Sequence, residues 1–220
     1  MQIKADLHVH TTYSKDSLIT PKDLIDFAKK QGLNAVAVTD HNTLDGAYKI
    51  AKETDFLVIP GMEVSSADGH IVALDVNELI PRGLTAVETV DRIHKAGGVA
   101  IACHPFALFK GCLRGKVSDT FDAIEIINAR AFPFGYSVKK ADEVAQRLHL
   151  SRVAGTDAHY APQIGSGYTV IESSGASVDE IARAIVKGDC QPFGRAVSIT
   201  LNVTQEFQRV KRAIRKLSHS

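Results

Sequence analysis

The residues best suited to chemistry start in Asp6-Leu7-His8-Val9-His10, where two imidazoles alternate with apolar side chains ahead of a polar stretch, Thr11 to Asp16. Side chains of a strand alternate between its faces, so His8 and His10 project the same way about 7 Å apart along the backbone. They could hold one metal ion between them, and the loop after Thr11 would bring Asp16 back as an oxygen ligand. A lone His-x-His pair is a weak signal, because histidine pairs on a strand face are often structural. It gains weight because similar pieces recur at the ends of apolar runs. Asp40-His41-Asn42 follows NAVAVT, Glu63 follows FLVIP, His104 follows GVAIAC, Arg130 lies just past AIEIIN, and Asp157 and His159 follow RVAGT. His70 differs in opening its run, HIVAL, rather than closing it.

Six of the nine histidines (His8, His10, His41, His70, His104 and His159), with Asp16, Glu63 and Asp157, therefore converge if the strand ends converge. Imidazole with carboxylate suits Zn²⁺, Mn²⁺ or Fe²⁺, whereas Mg²⁺ and Ca²⁺ prefer all-oxygen shells. Nine donors exceed what one tetrahedral ion can use, so two or three divalent ions are expected, with Glu63 as the natural bridge. Asp40 is expected to orient a ligating imidazole rather than to bind an ion. His94 and His149, near predicted helix ends, and His219, in the tail, have structural explanations.

The elements that must position these residues alternate along the chain. Thr20-Pro21 opens a helix with the stripe Leu24, Ile25, Phe27 and Ala28, stopped by Gly32; a second spans about Leu44 to Glu53. Capping-box spacings at Thr85 to Glu88 and Ser177 to Glu180 open helices that Gly97 and Gly188 close. Another helix covers Val138 to Leu148, and YTVIE reads as a strand. Apolar strands alternating with helices predict a parallel sheet covered by helices. About seven strands suggest closure into a β/α barrel, whose sites lie at the carboxyl ends of its strands. Between 105 and 120 there is no clear periodicity, and Lys110, Arg114 and Lys116 among glycines predict a loop over the site that could serve as a lid.

With 220 residues and a formal net charge of +1, the chain should build one sizeable core and offers no general attraction to nucleic acid or anionic membrane. Three cysteines, an odd count without Cys-x-x-Cys spacing, argue against a disulfide framework and a thiolate zinc site. No apolar run suits a signal peptide or a membrane span, so the expected location is cytoplasmic. Near the end, Val203, Phe207, Val210, Ile214 and Leu217 form an apolar stripe, with Arg209, Lys211, Arg212, Arg215 and Lys216 over much of the rest. The expected organisation is thus a domain over 1–200 and, over 201–220, a basic amphipathic helix packed on it with its charged face outward. Docking on a second subunit to form a homo-oligomer, or phosphate contacts with nucleic acid, are the alternatives for that helix.

DLHVHTTYS, TDHN, GMEVS followed by HIVAL, CHPF and GTDAH, in this order, resemble the motifs of the PHP (polymerase and histidinol phosphatase) superfamily of metal-dependent phosphoesterases, over about Met1 to Glu172. The resemblance implies a distorted, seven-stranded TIM-like β/α barrel with a trinuclear site. By analogy, His8, His10, Glu63 and Asp157 would hold one ion, Glu63, His70 and His104 a second, and Asp16, His41 and His159 the third. Many members have Ser-Asp-Gly after the first motif; here the sequence is Ser14-Lys15-Asp16-Ser17.

The expected activity is hydrolysis of a phosphate ester (a small phosphomonoester, a nucleotide or an oligonucleotide end) by a metal-bound hydroxide attacking in line. Asp40, Arg130 and His159 are assigned to catalysis, and Arg130 with Lys15, Lys110 or Arg114 to clamping phosphoryl oxygens. Two other readings compete. One is a metal-stabilised accessory module of DNA or RNA metabolism with little activity, against which the intact ligand set weighs. The other is hydrolysis of a C–N bond by a related barrel, for which no lysine stands at an obvious strand end.

Overall fold

The computed structural model describes residues 1–108 and 111–217; Lys110 and His219 lie outside the described residues. Strands β1 (Gln2–Val9), β2 (Ala35–Val38), β3 (Leu57–Ser65), β4 (His70–Leu74), β5 (Val99–Ala102), β6 (Ala123–Asn128) and β7 (Ser151–Gly155) pair in sequence order. Just past β1 and β7 the two ends meet. Val9 bridges Ala158, the Asp157 N–H donates to His8 O (2.7 Å), and the His10 N–H donates to Ala158 O (2.9 Å). The seven strands thereby curl into a nearly closed barrel. One buried cluster joins Ala5, Leu7, Ala37, Ile59, Val72, Ile101, Ala123 and Val153, residues of all seven strands, which only a barrel interior brings together.

Helices α1 (Pro21–Lys30), α2 (Asp45–Glu53), α3 (Ala86–Lys95) and α4 (Phe134–Leu148) cover the barrel, and α5 (Val178–Lys187) adds Ile181 and Ile185 to the interior cluster. Their ends follow local chemistry. Capping boxes form at Thr20, Thr85 and Ser177, and Gly188 takes the left-handed conformation that ends α5. His94 and His149 fall at the ends of α3 and α4, as expected, with His94 paired to Asp122 at 2.9 Å.

The sheet departs from the expectation in two respects. It has nine strands rather than seven, because β8 (Gly167–Glu172) pairs antiparallel with the first half of β1, and β9 (Cys190–Gly194) pairs antiparallel with β8. The sequence of β9, CQPFG, hides it: proline and polar residues are tolerated only at such an edge. Nor is the sheet wholly parallel, since β4 runs antiparallel to both β3 and β5. Four residues, Ser66 to Gly69, join β3 to β4, too few for the crossover a parallel partner needs. The reversal places His70, at the start of β4, level with the ends of the other strands.

The last helix, α6 (Ile199–Leu217), corrects a further expectation. Its inner side is polar: Gln205 is buried and accepts from Gln163 Nε2 (2.8 Å), while Arg212 donates to Ser17 O (2.9 Å). Val203, Phe207, Val210 and Ile214 of the apolar stripe point outward, beside the exposed Glu206, Arg209 and Lys211, rather than onto the barrel.

Asp6 ties the closure together. Fully buried, it accepts from the backbone N–H groups of Thr156 (2.8 Å), Gly165 (2.9 Å) and His8 (3.3 Å), and burial holds its pKa up at about 6 against those bonds. An amide would turn an NH₂ toward one of these donors. Asp6→Asn is therefore expected to lower unfolding free energy by about 1–3 kcal/mol in chemical denaturation; a variant as stable as the parent would contradict this role.

Candidate metal centre

Glu63, at 1% exposure, sits at the centre of the barrel mouth, where β3 is bridged to His41 from the end of β2. Its Oε1 faces His70 Nδ1 (2.8 Å) and His104 Nε2 (2.9 Å); its Oε2 faces His41 Nδ1 (2.8 Å), His10 Nε2 (3.3 Å) and His8 Nε2 (3.7 Å). Asp157 Oδ1 approaches His10 Nε2 (3.4 Å) and His8 Nε2 (3.8 Å), and those two nitrogens are 3.1 Å apart. On the far side, Asp16 Oδ2 lies 3.3 Å from His159 Nε2 and 3.4 Å from His41 Nε2. All nine expected donors are thus brought to one mouth.

The donor set fits cations. Glu63 Oε2 and Asp16 Oδ1 are buried with no hydrogen-bond partner, although His41 Nδ1 stands close to the former. An unsatisfied buried acceptor costs about 1–3 kcal/mol. The contacts among His8, His10, Glu63 and Asp157, 3.1 to 3.8 Å, match the edges of roughly 3.3–3.6 Å that ligands about 2.0–2.2 Å from a tetrahedral ion would make.

Charge is arranged to match. Burial opposes ionisation of Glu63, but His8, with hydrogen bonds from His104, His41 and His70, holds its carboxyl well below the usual range. Burial likewise opposes a charge on His8, yet Glu125, Asp157 and Glu63 raise its pKa well above the ordinary value. His41 is pushed up to about 10: burial works against it, and Asp16 and Glu63 prevail. His10 goes the other way, to about 3, lowered by burial and by His159. Without ions the cluster thus stores protons on some imidazoles where neutral ligands would otherwise be.

Backbone geometry aims the ligands. His104 (φ 33°) and Asp157 (φ 61°) both adopt left-handed conformations that cost non-glycine residues about 1–3 kcal/mol each. Hydrogen bonds hold them there: the His104 N–H donates to Glu125 Oε2 (2.8 Å) and the Asp157 N–H to His8 O. Gly155 is required beside them, because a Cβ would stand 2.6 Å from His8 Cβ and 2.5 Å from Glu125 Oε1.

Glu125 escaped the reading of the sequence. Buried on β6, it contacts His8 Nδ1 (3.1 Å), accepts from His104 N–H, and accepts from Asn128 Nδ2 (2.9 Å), so one carboxylate orients two of the imidazole-bearing segments. The available signal was a lone acid within the apolar run AIEIIN. The cysteines also come closer than expected. Cys103 Sγ is 3.6 Å from Glu63 Oε1, with burial pushing its thiol up to about 12, and Cys112 lines the cavity.

Asp40 is away from the donors' centre. Its oxygens accept from Thr11 N–H, Thr11 Oγ1 and Ser14 Oγ, each at 2.7 Å, and Ser14 Oγ in turn lies 3.3 Å from His10 Nδ1. Asp40 thus reaches an imidazole only through Ser14. Arg130 lines the cavity, about 120 Å³, with Asn128 and His159; its Nη1 donates to Asp157 O (3.1 Å) and lies 2.5 Å from His159 Nδ1. Lys15 lines a separate cavity against α6 with Arg209 and Arg212, and the exposed Arg114 is not among the residues lining the metal-centre cavity. The described part of the 105–120 segment is tied to the barrel mouth and to itself by backbone hydrogen bonds and a buried side chain. Gly111 O accepts from the His70 N–H (2.7 Å), Pro105 O accepts from the Arg114 N–H (2.8 Å), and Leu113 is buried.

A PHP domain model matches residues 6–214. An uncharacterized protein of Methanocaldococcus jannaschii is 39% identical over 141 residues, 58% of this chain and 82% of that protein. A 5'-3' exoribonuclease of Haemophilus influenzae is 36% identical over 116 residues, 44% of this chain but only 42% of the relative. Among solved structures, a two-domain protein of Bacteroides vulgatus containing a predicted PHP-like metal-dependent phosphoesterase superposes with a TM-score of 0.72 at 18% identity, covering 89% of this chain and 65% of that one, a likeness of fold. With nearly its whole length matched by that domain model, and most of the archaeal relative covered, the chain belongs to the PHP domain family.

Proposed function

We propose that the chain is a metal-dependent phosphoesterase that hydrolyses a phosphate ester at the barrel mouth. The observation that carries this is Glu63: one buried carboxylate whose two oxygens face different imidazoles, the arrangement a bridging ligand needs. On this reading His8, His10, Glu63 and Asp157 hold one divalent ion, Glu63, His70 and His104 a second, and Asp16, His41 and His159 a third. Bound there, Zn²⁺, Mn²⁺ or Fe²⁺ would acidify water into a nucleophile and offset charge on phosphoryl oxygens.

The chain's own residues do the rest. Arg130, at the cavity wall, supplies a fork of donors for the non-bridging oxygens of a phosphoryl group. Its partners are a carbonyl, a ring nitrogen and, at 3.9 Å, the Asp157 carboxylate, and the guanidinium can exchange the first two for an anion. Glu125 and the Asp40–Ser14 pair fix the His8 and His10 rings, keeping their Nε2 atoms on the cavity side. A cavity of about 120 Å³ suits a terminal phosphoryl group with the leaving group outside. A nucleotide or an oligonucleotide end is the favoured substrate class, supported by the exoribonuclease among the relatives.

Two measurements test this reading. A phosphate-release screen with Mn²⁺, Zn²⁺ or Fe²⁺ over sugar phosphates, nucleotides and short oligonucleotides should find a substrate, and Arg130→Ala should lower kcat/KM on it by roughly ten- to hundredfold, the worth of a charged hydrogen bond. Release from nothing in the screen, or an unimpaired Arg130→Ala enzyme, would contradict the proposal.

Metal loading should also expel protons. Since His8, His41 and His104 have raised pKa values in the ion-free cluster, each must lose its proton to ligate, so affinity should fall as pH falls below the values they hold in that state. Calorimetric titrations of metal in buffers of different ionisation enthalpy should reveal this release. A binding enthalpy independent of buffer would show that no such protons are stored.

A further inference from the structure

Helix α6 is inverted relative to an ordinary surface helix. Leu201, Gln205, Gln208 and Arg212 form its inner row, and the inner contacts are polar: Gln205 and Asn202 with Gln163, and Arg212 with Ser17 O. The outer row is Val203 (64% exposed), Phe207 (66%), Val210 (57%) and Ile214 (61%). A contiguous apolar stripe of this kind on a protein surface marks a contact site.

Its spacing says what kind. The intervals from 203 to 214 are four, three and four, the alternation that a and d positions of paired helices show. With Phe207 and Ile214 at the a positions and Val203 and Val210 at d, Glu206 falls at g and Lys211 at e, and both are exposed. In a parallel pair of identical helices, each g residue faces the e residue five positions later on its partner. Glu206 of one copy would then meet Lys211 of the other, twice by symmetry. Antiparallel pairing sets g against g and e against e and forfeits this match. The Glu206 contact with Arg209 lies within the helix and leaves the glutamate 60% exposed. Because the polar inner row already binds its own barrel, the two barrels would lie on opposite outer sides of the helix pair.

We propose that a second copy of this chain covers the stripe, α6 pairing in parallel with α6 through Val203, Phe207, Val210 and Ile214, and with Glu206 opposite Lys211. The occupant is the same chain because one helix carries both halves of the charge match.

Sedimentation velocity of the full-length protein over a dilution series tests this. A reversible dimer is expected, with Phe207→Glu or Val210→Glu raising the dissociation constant at least about tenfold, as a charge placed in an apolar seam should. Both positions are exposed, and circular dichroism will verify that the variants fold. Glu206→Lys should weaken the dimer, and adding Lys211→Glu should restore it, a compensation that a general surface effect would not produce. A monomer at every concentration, or association indifferent to Phe207→Glu, would overturn the proposal. So would charge reversal without restoration, as would a monomer that floats with phosphatidylserine-containing vesicles, which would put a lipid surface in the partner's place.

Discussion

A buried carboxylate surrounded by imidazoles constrains everything around it. Glu63 would be costly in an apolar interior, since taking a charge out of water costs several kcal/mol unless partners replace the lost hydration. Four stretches of chain supply those partners: His8 in β1 with His10 just past it, His41 after β2, His70 from β4 and His104 after β5. Because they come from distant parts of the sequence, the carboxylate can be satisfied only when the barrel has closed. The same closure brings Asp157 against His8 through the junction of β1 with the chain after β7. Fold and site are in this sense one arrangement, held at its rim by Asp6 and at its centre by Glu63.

Two local compromises serve that arrangement. Reversing β4 places a histidine from the start of a strand among donors from the ends of others, at the expense of a uniformly parallel sheet. Left-handed conformations at His104 and Asp157 turn their side chains into the mouth where a strand continuing straight would carry them past it. Both strained residues are held by hydrogen bonds to the segments that position His8, so the cost is offset within the same cluster. Even so, Glu63 Oε2 and Asp16 Oδ1 remain without partners. Side-chain hydrogen bonding among the described residues does not complete the cluster, and the donor set fits metal ions.

Much of this was legible in the chain because strand ends are punctuated by chemistry. Apolar runs ending in histidine or acid located seven of the nine donors, capping boxes located two helix starts, and Thr20-Pro21 a third. What escaped depended on pairing direction or on second contacts. The place of His70 follows from a four-residue turn, which periodicity does not register. Glu125 sits inside an apolar run, where its partners His8 and His104 are 117 and 21 residues away. β9 has too little apolar character to stand out, being an edge strand. The stripe on α6 was plain in the sequence, but its direction was not: periodicity reports that a helix has two faces, and only the contacts of Gln205 and Arg212 tell which one meets the barrel.

The most direct test of the central claim is the metal content of the purified protein beside that of Glu63→Ala, after loading with Mn²⁺ or Zn²⁺ and removal of free ion. A carboxylate shared between ions predicts two or three bound ions per chain in the parent and the loss of at least two in the variant, with the barrel still folded by circular dichroism. A single ion in the parent, or an undiminished complement in Glu63→Ala, would contradict it.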